Sequence, residues 1–136
     1  MAETFKISPI GYVYKKEAGI YIDIDTRYKD ALLGLEGFSH INVLFWFHEN
    51  DQPQKRATLQ VNPRRDPQNP ITGVFATHSP LRPNLIGLTI CRVLSIDGTR
   101  IYLNDIDAID QTPVIDIKCH IPTSRTMENL KLPNWV

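Results

Sequence analysis

The residues best suited to binding a ligand lie in one stretch of the sequence, from position 73 to position 88. Ser79, Arg82 and Asn84 supply a hydroxyl, a guanidinium and a carboxamide there. Two prolines among them fix φ and remove amide donors, so these side chains should point in defined directions. The glycines at both ends allow close backbone approach or unusual dihedral angles. The pattern predicts a binding site, and the alternative is a proline-rich turn between two strands.

Three common chemistries do not fit the spacing of the polar residues. The four histidines are scattered, and no two of them have the close spacing of a local metal motif. Ser79 is followed by proline and lies in no G-x-S-x-G motif, which disfavours a Ser-His-Asp hydrolase. Gly73 and Gly87 are too far apart for a dinucleotide-binding fingerprint. The sequence therefore predicts no metal site, no hydrolase and no Rossmann cofactor site.

Two sets of polar residues remain as candidates. The first suits a zwitterionic or adenosine-like ligand and consists of Arg82, Asn84, Asp110, Asp116 and Lys118. The alternative for its last two members is an ion pair on one face of a strand, which contributes little to stability when exposed. The second set suits phosphate, whose geometry arginine forks match; its members are Lys55, Arg56, Arg64, Arg65, Arg82, Arg92 and Arg100. The alternative for this set is ordinary solvated surface.

Composition predicts one domain over residues 1–136, long enough to bury a core without disulfides. Lys and Arg together number 15, as do Asp and Glu, so the net charge predicts neither a nucleic-acid nor an acidic partner. Cys91 and Cys119 form no C-x-x-C motif, and the N-terminus has no apolar signal region. No apolar run approaches the length of a membrane span. A cytoplasmic protein with reduced thiols and no membrane contact is expected.

The elements that position these residues are mostly strands. Ile20 to Asp25 alternates apolar and polar residues, as a half-buried strand does, and is predicted to form a hairpin with residues 5–14. Ser39 to His48 is dense in β-branched and aromatic residues, which predicts a central strand buried on both faces. Asp97-Gly98 is predicted to be a type I′ turn. Further strands are predicted over 57–61, 88–96, 99–106 and 114–118.

One short helix is predicted, over Thr26 to Leu35, with apolar residues at helical spacing, Asp25 or Thr26 as N-cap and Gly34 near its end. Loops are predicted over 49–56, 62–70 and 107–112. The tail over 121–136 is predicted to be irregular, with Trp135 docked on the body. Six to eight short strands and one brief helix predict a mainly β fold, a small antiparallel single-sheet β-barrel.

Three segments of the sequence also resemble a known family. They are GLEGFSHI, which leads to FWFH at 45–48, GVFATHSPLRPNLIGL at 73–88, and DQTPVIDIK at 110–118. In order and spacing they are similar to the TsaA-like, or TrmO, family. This family of small β-barrel proteins includes the S-adenosylmethionine-dependent methyltransferase that acts on threonylcarbamoyladenosine beside the tRNA anticodon.

The resemblance implies a homodimer that binds S-adenosylmethionine near the subunit interface and acts on tRNA. The cofactor-binding residues that it implies are His48, Glu49, His78, Ser79, Arg82, Asn84, Leu88, Asp110, Thr112 and Pro113. The sequence departs from the family pattern at His78, where the family has arginine, and also at Leu85, Gln111, Cys119 and His120. The segment from Gly11 to Glu17 lacks the Ser/Thr-Pro-aromatic signature of the family.

The function that the resemblance implies is transfer of a methyl group to the exocyclic nitrogen of threonylcarbamoyladenosine in tRNA. Catalysis would depend on in-line positioning and on a group that accepts a proton, for which Asp110 and Asp116 are both candidates. The alternative is a non-catalytic barrel that keeps the family fold and recognises a nucleotide or RNA. The balanced charge neither requires nor excludes RNA.

Overall fold

The computed structural model describes residues 2–122 and 127–136. Its strands are β1 (Gly11–Lys16), β2 (Gly19–Ile24), β3 (His40–Trp46), β4 (Gln60–Val61), β5 (Thr72–Gly73), β6 (Ile86–Asp97), β7 (Arg100–Leu103) and β8 (Pro113–Cys119). Six of them form a closed antiparallel barrel in the order β1-β2-β7-β6-β3-β8, while β4 pairs with β5 in a separate two-stranded sheet. The predicted mainly β, antiparallel single-sheet barrel is confirmed.

The chain divides into two compact units. The barrel unit comprises Met1–Glu49 and Ile86–His120, and the loop unit comprises Asn50–Leu85 and Ile121–Val136. All six barrel strands belong to the barrel unit, whereas β4 and β5 belong to the loop unit.

β-branched residues fill the interior of the barrel. Val13, Ile22, Ile41, Val43 and Ile101 are fully buried, and they alternate with outward-facing residues along their strands. The expectation that the third strand is buried on both faces is wrong, because the residues of β3 that alternate with its buried ones are all partly or largely exposed. A barrel strand has one face in the core and one face outside. When the outer face also carries apolar residues, as β3 does at Leu44 and Trp46, the sequence looks like that of a strand buried on both faces.

Both cysteines are free thiols. In the sheet they flank Ile41, which pairs with Cys91 on β6 and with Cys119 on β8. Burial raises the pKa of the Cys91 thiol to about 11, so this thiol stays protonated at neutral pH and acts as a small apolar core residue.

The two hairpins differ in how closely they match the predictions made from the sequence. β1 and β2 pair through Lys16 and Gly19, as expected. β6 and β7 pair through Asp97 and Arg100, so the turn residues are Gly98 and Thr99, one position later than predicted. Gly98 has φ +60° while Thr99 has no positive φ. A positive φ at the first central residue alone is typical of a type II′ turn rather than the predicted type I′ turn.

The helical segments are shorter and tighter than predicted. The expected helix is a 3₁₀ helix, Thr26–Leu32, whose N-cap is Asp25. The Asp25 carboxylate accepts the Arg27 N–H at 2.9 Å, and this bond lowers the pKa of Asp25. The predicted loop over 49–56 contains a four-residue helix, α1 (Pro53–Arg56), since proline at its first position has the φ that a helix start requires.

Four predicted strands are shorter in the structure. The strands predicted over 39–48 and 99–106 are reduced to His40–Trp46 and Arg100–Leu103. β1 begins at Gly11 rather than near Phe5, and residues 2–9 lie outside any strand. Phe5 and Ile7 are largely exposed, so the apolar residues of this segment do not contribute to the core. The strand expected over 57–61 is reduced to Gln60–Val61.

Gly11 lies where β1 and β2 approach too closely for a side chain. A Cβ atom at this position would overlap the backbone oxygen of Asp23 and lie 3.0 Å from the Cα of Ile24. By contrast, a Cβ at Gly37 would have no atom within 4 Å. The close pairing of the first hairpin therefore requires glycine at position 11.

The barrel closes at a short seam between β1 and β8, where two residue pairs join the strands. The seam continues into the loop before β8. The Val13 N–H donates to the carbonyl of Thr112 at 2.9 Å, and the Val13 carbonyl accepts the Gln111 N–H at 2.6 Å. The Lys15 N–H donates to the carboxylate of Asp110 at 2.8 Å. The predicted ligand-binding loop over 107–112 thus forms part of the barrel closure.

Within the described ranges, none of the helices has the length and apolar character needed to cross a membrane.

Candidate functional site

The stretch over 73–88 is held by a chain of hydroxyl hydrogen bonds in the loop unit. Thr77 donates its hydroxyl to the carbonyl of Val74 at 2.8 Å and accepts the N–H of Ser79 at 3.1 Å. The Ser79 hydroxyl accepts the N–H of Leu81 at 3.1 Å. Such bonds from side chains to nearby backbone fix turns. The hydroxyl groups of Thr77 and Ser79 thus restrain the backbone of this stretch, in addition to the two prolines.

Arg82 braces the same loop. Its guanidinium donates to the carbonyl oxygens of Thr77 at 3.3 Å and Ser79 at 3.1 Å. His78 and Asn84, in contrast, are exposed and make no hydrogen bond within the described residues. Of the four predicted cofactor contacts on this loop, Ser79 and Arg82 hold its shape, whereas His78 and Asn84 have free polar groups.

The glycine at the C-terminal end of this stretch fits against two aromatic rings. A Cβ on Gly87 would lie 2.5 Å from the ring of Phe45 and 2.9 Å from the ring of Phe47. The two rings meet edge to face with centroids 5.3 Å apart. At the other end, a Cβ on Gly73 would meet only one atom, 3.9 Å away. The close approach of the two rings to the backbone therefore requires glycine at position 87. No comparable approach requires glycine at position 73.

A second set of hydrogen bonds ties the prolines of the loop to the segment around α1. Arg56 donates its Nε–H to the carbonyl of Pro83 at 2.8 Å and pairs with Asp51 at 3.1 Å. Asn50 donates to the carbonyl of Pro80 at 3.4 Å. Arg56, which the sequence offered as a phosphate contact, therefore stabilises the loop unit.

A pocket of about 700 Å³ lies in the loop unit, within the usual size range of small-molecule sites. His78 and Ser79 line it, together with Lys55, Arg64 and Trp135. Trp135 is half-buried and lines this pocket, and residues 123–126 of the predicted irregular tail lie outside the described residues.

The loop beside this pocket is clamped by two asparagines. The Asn62 side chain donates to the carbonyl of Asn69 at 2.9 Å, and the Asn69 side chain donates to the carbonyl of Pro63 at 2.8 Å. Between them, Arg64 and Arg65 have φ +58° and +57°, a region that residues other than glycine adopt uncommonly. Sequence reasoning missed this clamp, although two Asn-Pro pairs flank the loop at 62–63 and 69–70.

The other six predicted cofactor contacts belong to the barrel unit, and its topology gathers them at one end of the barrel. Phe45, near the end of β3, pairs with Gly87 near the start of β6 and with Val114 near the start of β8. The end of β3 therefore lies beside the starts of β6 and β8. The residues carried by these ends are His48, Glu49, Leu88, Asp110, Thr112 and Pro113.

The six side chains differ in what they offer a ligand. Thr112 is buried and donates its hydroxyl to the carbonyl of Ile109 at 2.7 Å, so it holds the loop. Asp110 is half-buried, and the backbone of Lys15 occupies one of its carboxylate oxygens. Leu88 faces outward from β6 and is 64% exposed.

Asp116 and Lys118 lie along β8 and form an ion pair of 3.5 Å. Both side chains are about half exposed or more. The other Asp116 oxygen accepts the N–H of Ile117 at 2.9 Å. The simpler interpretation of this pair, an ion pair on one face of a strand, is confirmed.

Over 2–122 and 127–136, no three His, Cys, Asp or Glu side chains are grouped so that they could hold a metal ion.

The barrel unit is a closed single-sheet barrel with polar loops at one end, and the loop unit has a proline-stiffened loop and a pocket. These features define the class of small β-barrel proteins. Residues 3–125 match the model of the tRNA-methyltransferase O N-terminal domain. The chain belongs to the tRNA-methyltransferase O family, and the resemblance seen in the sequence is confirmed.

Relatives with known names agree with this membership. A probable S-adenosyl-L-methionine-binding protein of Pyrococcus horikoshii is 46% identical over 116 residues, which are 85% of this chain and 82% of that protein. A tRNA (adenine(37)-N6)-methyltransferase of Mus musculus is 44% identical over 104 residues, which are 76% of this chain and 23% of the mouse protein. The crystal structure of TrmO from P. aeruginosa superposes with a TM-score of 0.72 at 28% identity, and it covers 99% of this chain. This chain spans 63% of the length of that structure.

Proposed function

We propose that this protein transfers the methyl group of S-adenosylmethionine to the N6 nitrogen of adenine 37 in tRNA, with threonylcarbamoyladenosine as the acceptor nucleoside. Membership of the tRNA-methyltransferase O family supports the proposal, because a relative of 46% identity is named for binding of the cofactor and one of 44% identity for N6-methylation of adenine 37 in tRNA. The cytoplasm, which holds tRNA and the cofactor, is the proposed site of action.

The polar groups left free by the fold suit this cofactor. In the barrel unit, one oxygen of Asp110 makes no hydrogen bond to any described residue, and a carboxylate can accept from ribose hydroxyls or from an ammonium group. In the loop unit, His78 and Asn84 offer an imidazole and a carboxamide. Within the loop unit, we propose His78 and Asn84 as cofactor contacts and assign the shaping of their loop to Ser79 and Arg82. S-adenosylmethionine, when bound, supplies an electrophilic methyl group on a sulfonium.

The acceptor nitrogen of threonylcarbamoyladenosine is urea-like, with a delocalised lone pair, so the chain must position it and accept its proton. Asp110 suits the second task better than Asp116. Both oxygens of Asp116 are engaged, one by Lys118 and one by the backbone of Ile117. One oxygen of Asp110 makes no hydrogen bond to the described residues, and Asp110 lies at the barrel end that carries the predicted contacts of the barrel unit.

Incubation of the purified protein with methyl-labelled cofactor and tRNA that carries threonylcarbamoyladenosine is expected to label this nucleoside. Digestion to nucleosides and chromatography locates the label. At saturating cofactor, the Asp110→Asn variant should transfer methyl groups about 100-fold more slowly, since its amide cannot accept the proton. Label on no nucleoside, together with RNA binding, would favour the non-catalytic barrel instead.

Replacement of His78 by arginine is expected to leave cofactor affinity unchanged or to tighten it. His78 makes no hydrogen bond to the described residues, so the change breaks no internal contact. An arginine can form a charge-assisted bond to the cofactor carboxylate, which is stronger than a neutral one. Titration calorimetry with S-adenosylmethionine measures the effect, and the His78→Ala variant, which removes the ring, should bind more weakly. A tenfold loss in the arginine variant would contradict the assignment of this position.

The homodimer implied by the sequence has a suitable surface on the barrel unit. Ile86, Leu88 and Ile90 project from the outer face of β6, and each is at least 41% exposed. Leu44 on β3 pairs with Leu88 and extends this apolar stripe to the neighbouring strand. Contiguous exposed apolar surface is typical of protein interfaces. We propose that a second copy of the chain covers the stripe, in a two-fold arrangement.

A further inference from the structure

The pocket of the loop unit is positively charged, although the chain as a whole is neutral. Lys55, Arg64 and Arg65 line it, and His78 adds an imidazole. No aspartate or glutamate side chain is among the described residues that line it. Lys and Arg together balance Asp and Glu over the whole chain, at 15 each. Three of the 15 Lys and Arg residues thus line one cavity, with no Asp or Glu among the described lining residues, and this local excess of positive charge favours an anionic ligand there.

Arg64 and Arg65 are held in place by backbone that the fold maintains against its local preference. Both have the left-handed φ values of +58° and +57°. The Arg65 N–H donates to the carbonyl of Asn62 at 3.1 Å, which closes the turn within the asparagine clamp. Sparsely populated backbone conformations persist where the surrounding structure enforces them, and they cluster at binding sites. Here the enforced turn places two guanidinium groups at one pocket.

Unlike other guanidinium groups of the loop unit, these two are not held by the part of the chain that the structure describes. Arg56 donates to Pro83 and pairs with Asp51, and Arg82 donates to two carbonyls of its own loop. Arg64 and Arg65 are exposed and make no side-chain hydrogen bond or ion pair to any described residue. They are therefore available to bind an oxyanion from outside the chain.

We propose that Arg64 and Arg65 bind an oxyanion of the RNA substrate, either a backbone phosphate or the carboxylate of a modified nucleoside. The inference rests on the proposed function, because it takes RNA as the substrate. The cofactor is a poor match for this pair. S-adenosylmethionine has one carboxylate but also an ammonium and a sulfonium, so its net charge is +1. One cation suffices for its carboxylate, and two more would be repelled by its positive centres. An RNA has an anionic group at every nucleotide.

The test compares the Arg64→Gln, Arg65→Gln double variant with the wild-type protein. RNA affinity is measured by fluorescence anisotropy, once with tRNA that carries threonylcarbamoyladenosine and once with the unmodified transcript. Cofactor affinity is measured by calorimetry. The Arg27→Gln, Lys29→Gln double variant is the matched control, because it removes two positive charges from the exposed 3₁₀ helix of the barrel unit. Circular dichroism confirms that both variants are folded.

The double variant is expected to bind RNA at least tenfold more weakly, with cofactor affinity within twofold of the wild type and RNA affinity of the control unchanged. An equal loss on both RNAs, with a shallower dependence of affinity on salt, identifies phosphate as the ligand. A loss confined to the modified tRNA identifies the carboxylate. Unchanged RNA affinity, or weaker cofactor binding alone, would overturn the inference.

The result is distinguishable from failure of the proposed function. A wild-type protein that methylates tRNA, together with a double variant that binds and methylates equally well, refutes the role of Arg64 and Arg65 alone. A wild-type protein that neither binds nor methylates tRNA refutes the proposed function and this inference with it.

Discussion

Replacement of Gly11 by alanine is expected to lower the melting temperature of the protein by about 10 °C. The added Cβ would overlap the backbone oxygen of Asp23 and press on Ile24. Backbone atoms in a paired strand cannot turn aside as a flexible side chain can, so the hairpin must separate. Overpacking of this kind costs about 3 kcal/mol at the upper end of its usual range, and a domain of this size loses a few degrees for each such kcal/mol. Thermal unfolding followed by circular dichroism measures the change.

Gly37→Ala is the matched control for this substitution. A Cβ at Gly37 would meet nothing within 4 Å, and the φ of this residue lies in the ordinary range. The same change of glycine to alanine should therefore leave the melting temperature within about 2 °C of the wild type, or raise it slightly by reducing the entropy of the unfolded chain. Equal melting temperatures for the two variants would show that β1 and β2 are not as closely paired as the structure has them.

Leu88→Asp is expected to raise the dissociation constant of the proposed dimer at least about 100-fold. Leu88 lies in the apolar stripe of β6, between Ile86 and Ile90, and is 64% exposed in the single chain. A carboxylate there would lose its hydration without gaining a partner. In a two-fold interface each substitution is present twice, so two modest penalties add to about 3 kcal/mol. Analytical ultracentrifugation over a range of concentrations measures the constant.

The control for the dimer is Leu33→Asp. Leu33 is 91% exposed and follows the 3₁₀ helix rather than β6, so the same loss of a leucine and gain of a charge should leave association unchanged. If both variants associate like the wild type, the stripe is not the interface. If the wild-type protein is a monomer at all concentrations tested, the proposed homodimer is wrong.

The strand pattern was predictable because it depends on local alternation. Ile20 to Asp25 alternates strictly and forms β2 almost as predicted. The 3₁₀ helix was harder, since the spacing of Tyr28 and Leu32 is typical of an α-helix, whereas a segment this short gains little from α-helical nucleation. The turn at Gly98 moved by one residue because the pairing of Asp97 with Arg100 decides which residues remain unpaired.

The candidate site was predictable only in part. The family motifs name its residues, but the sequence does not show that β6 and β8 both begin beside the end of β3. Long-range strand order therefore brings His48, Leu88 and Asp110 to the same end of the barrel. The role of Arg82 was also hidden, because an arginine that braces its own loop and one that binds a ligand look the same in sequence.

The seam between β1 and β8 connects the site to the folding of the barrel. Lys15 and Asp110, which bond across it, are 95 positions apart in the chain. Contacts of such high sequence separation form late and slow folding, because loop closure must precede them. Because two residue pairs join β1 and β8, the seam is also where the closed barrel should open most readily. A ligand bound by Asp110 would stabilise the closed seam. The rate of amide hydrogen exchange across the seam should therefore fall as the occupancy of the site rises.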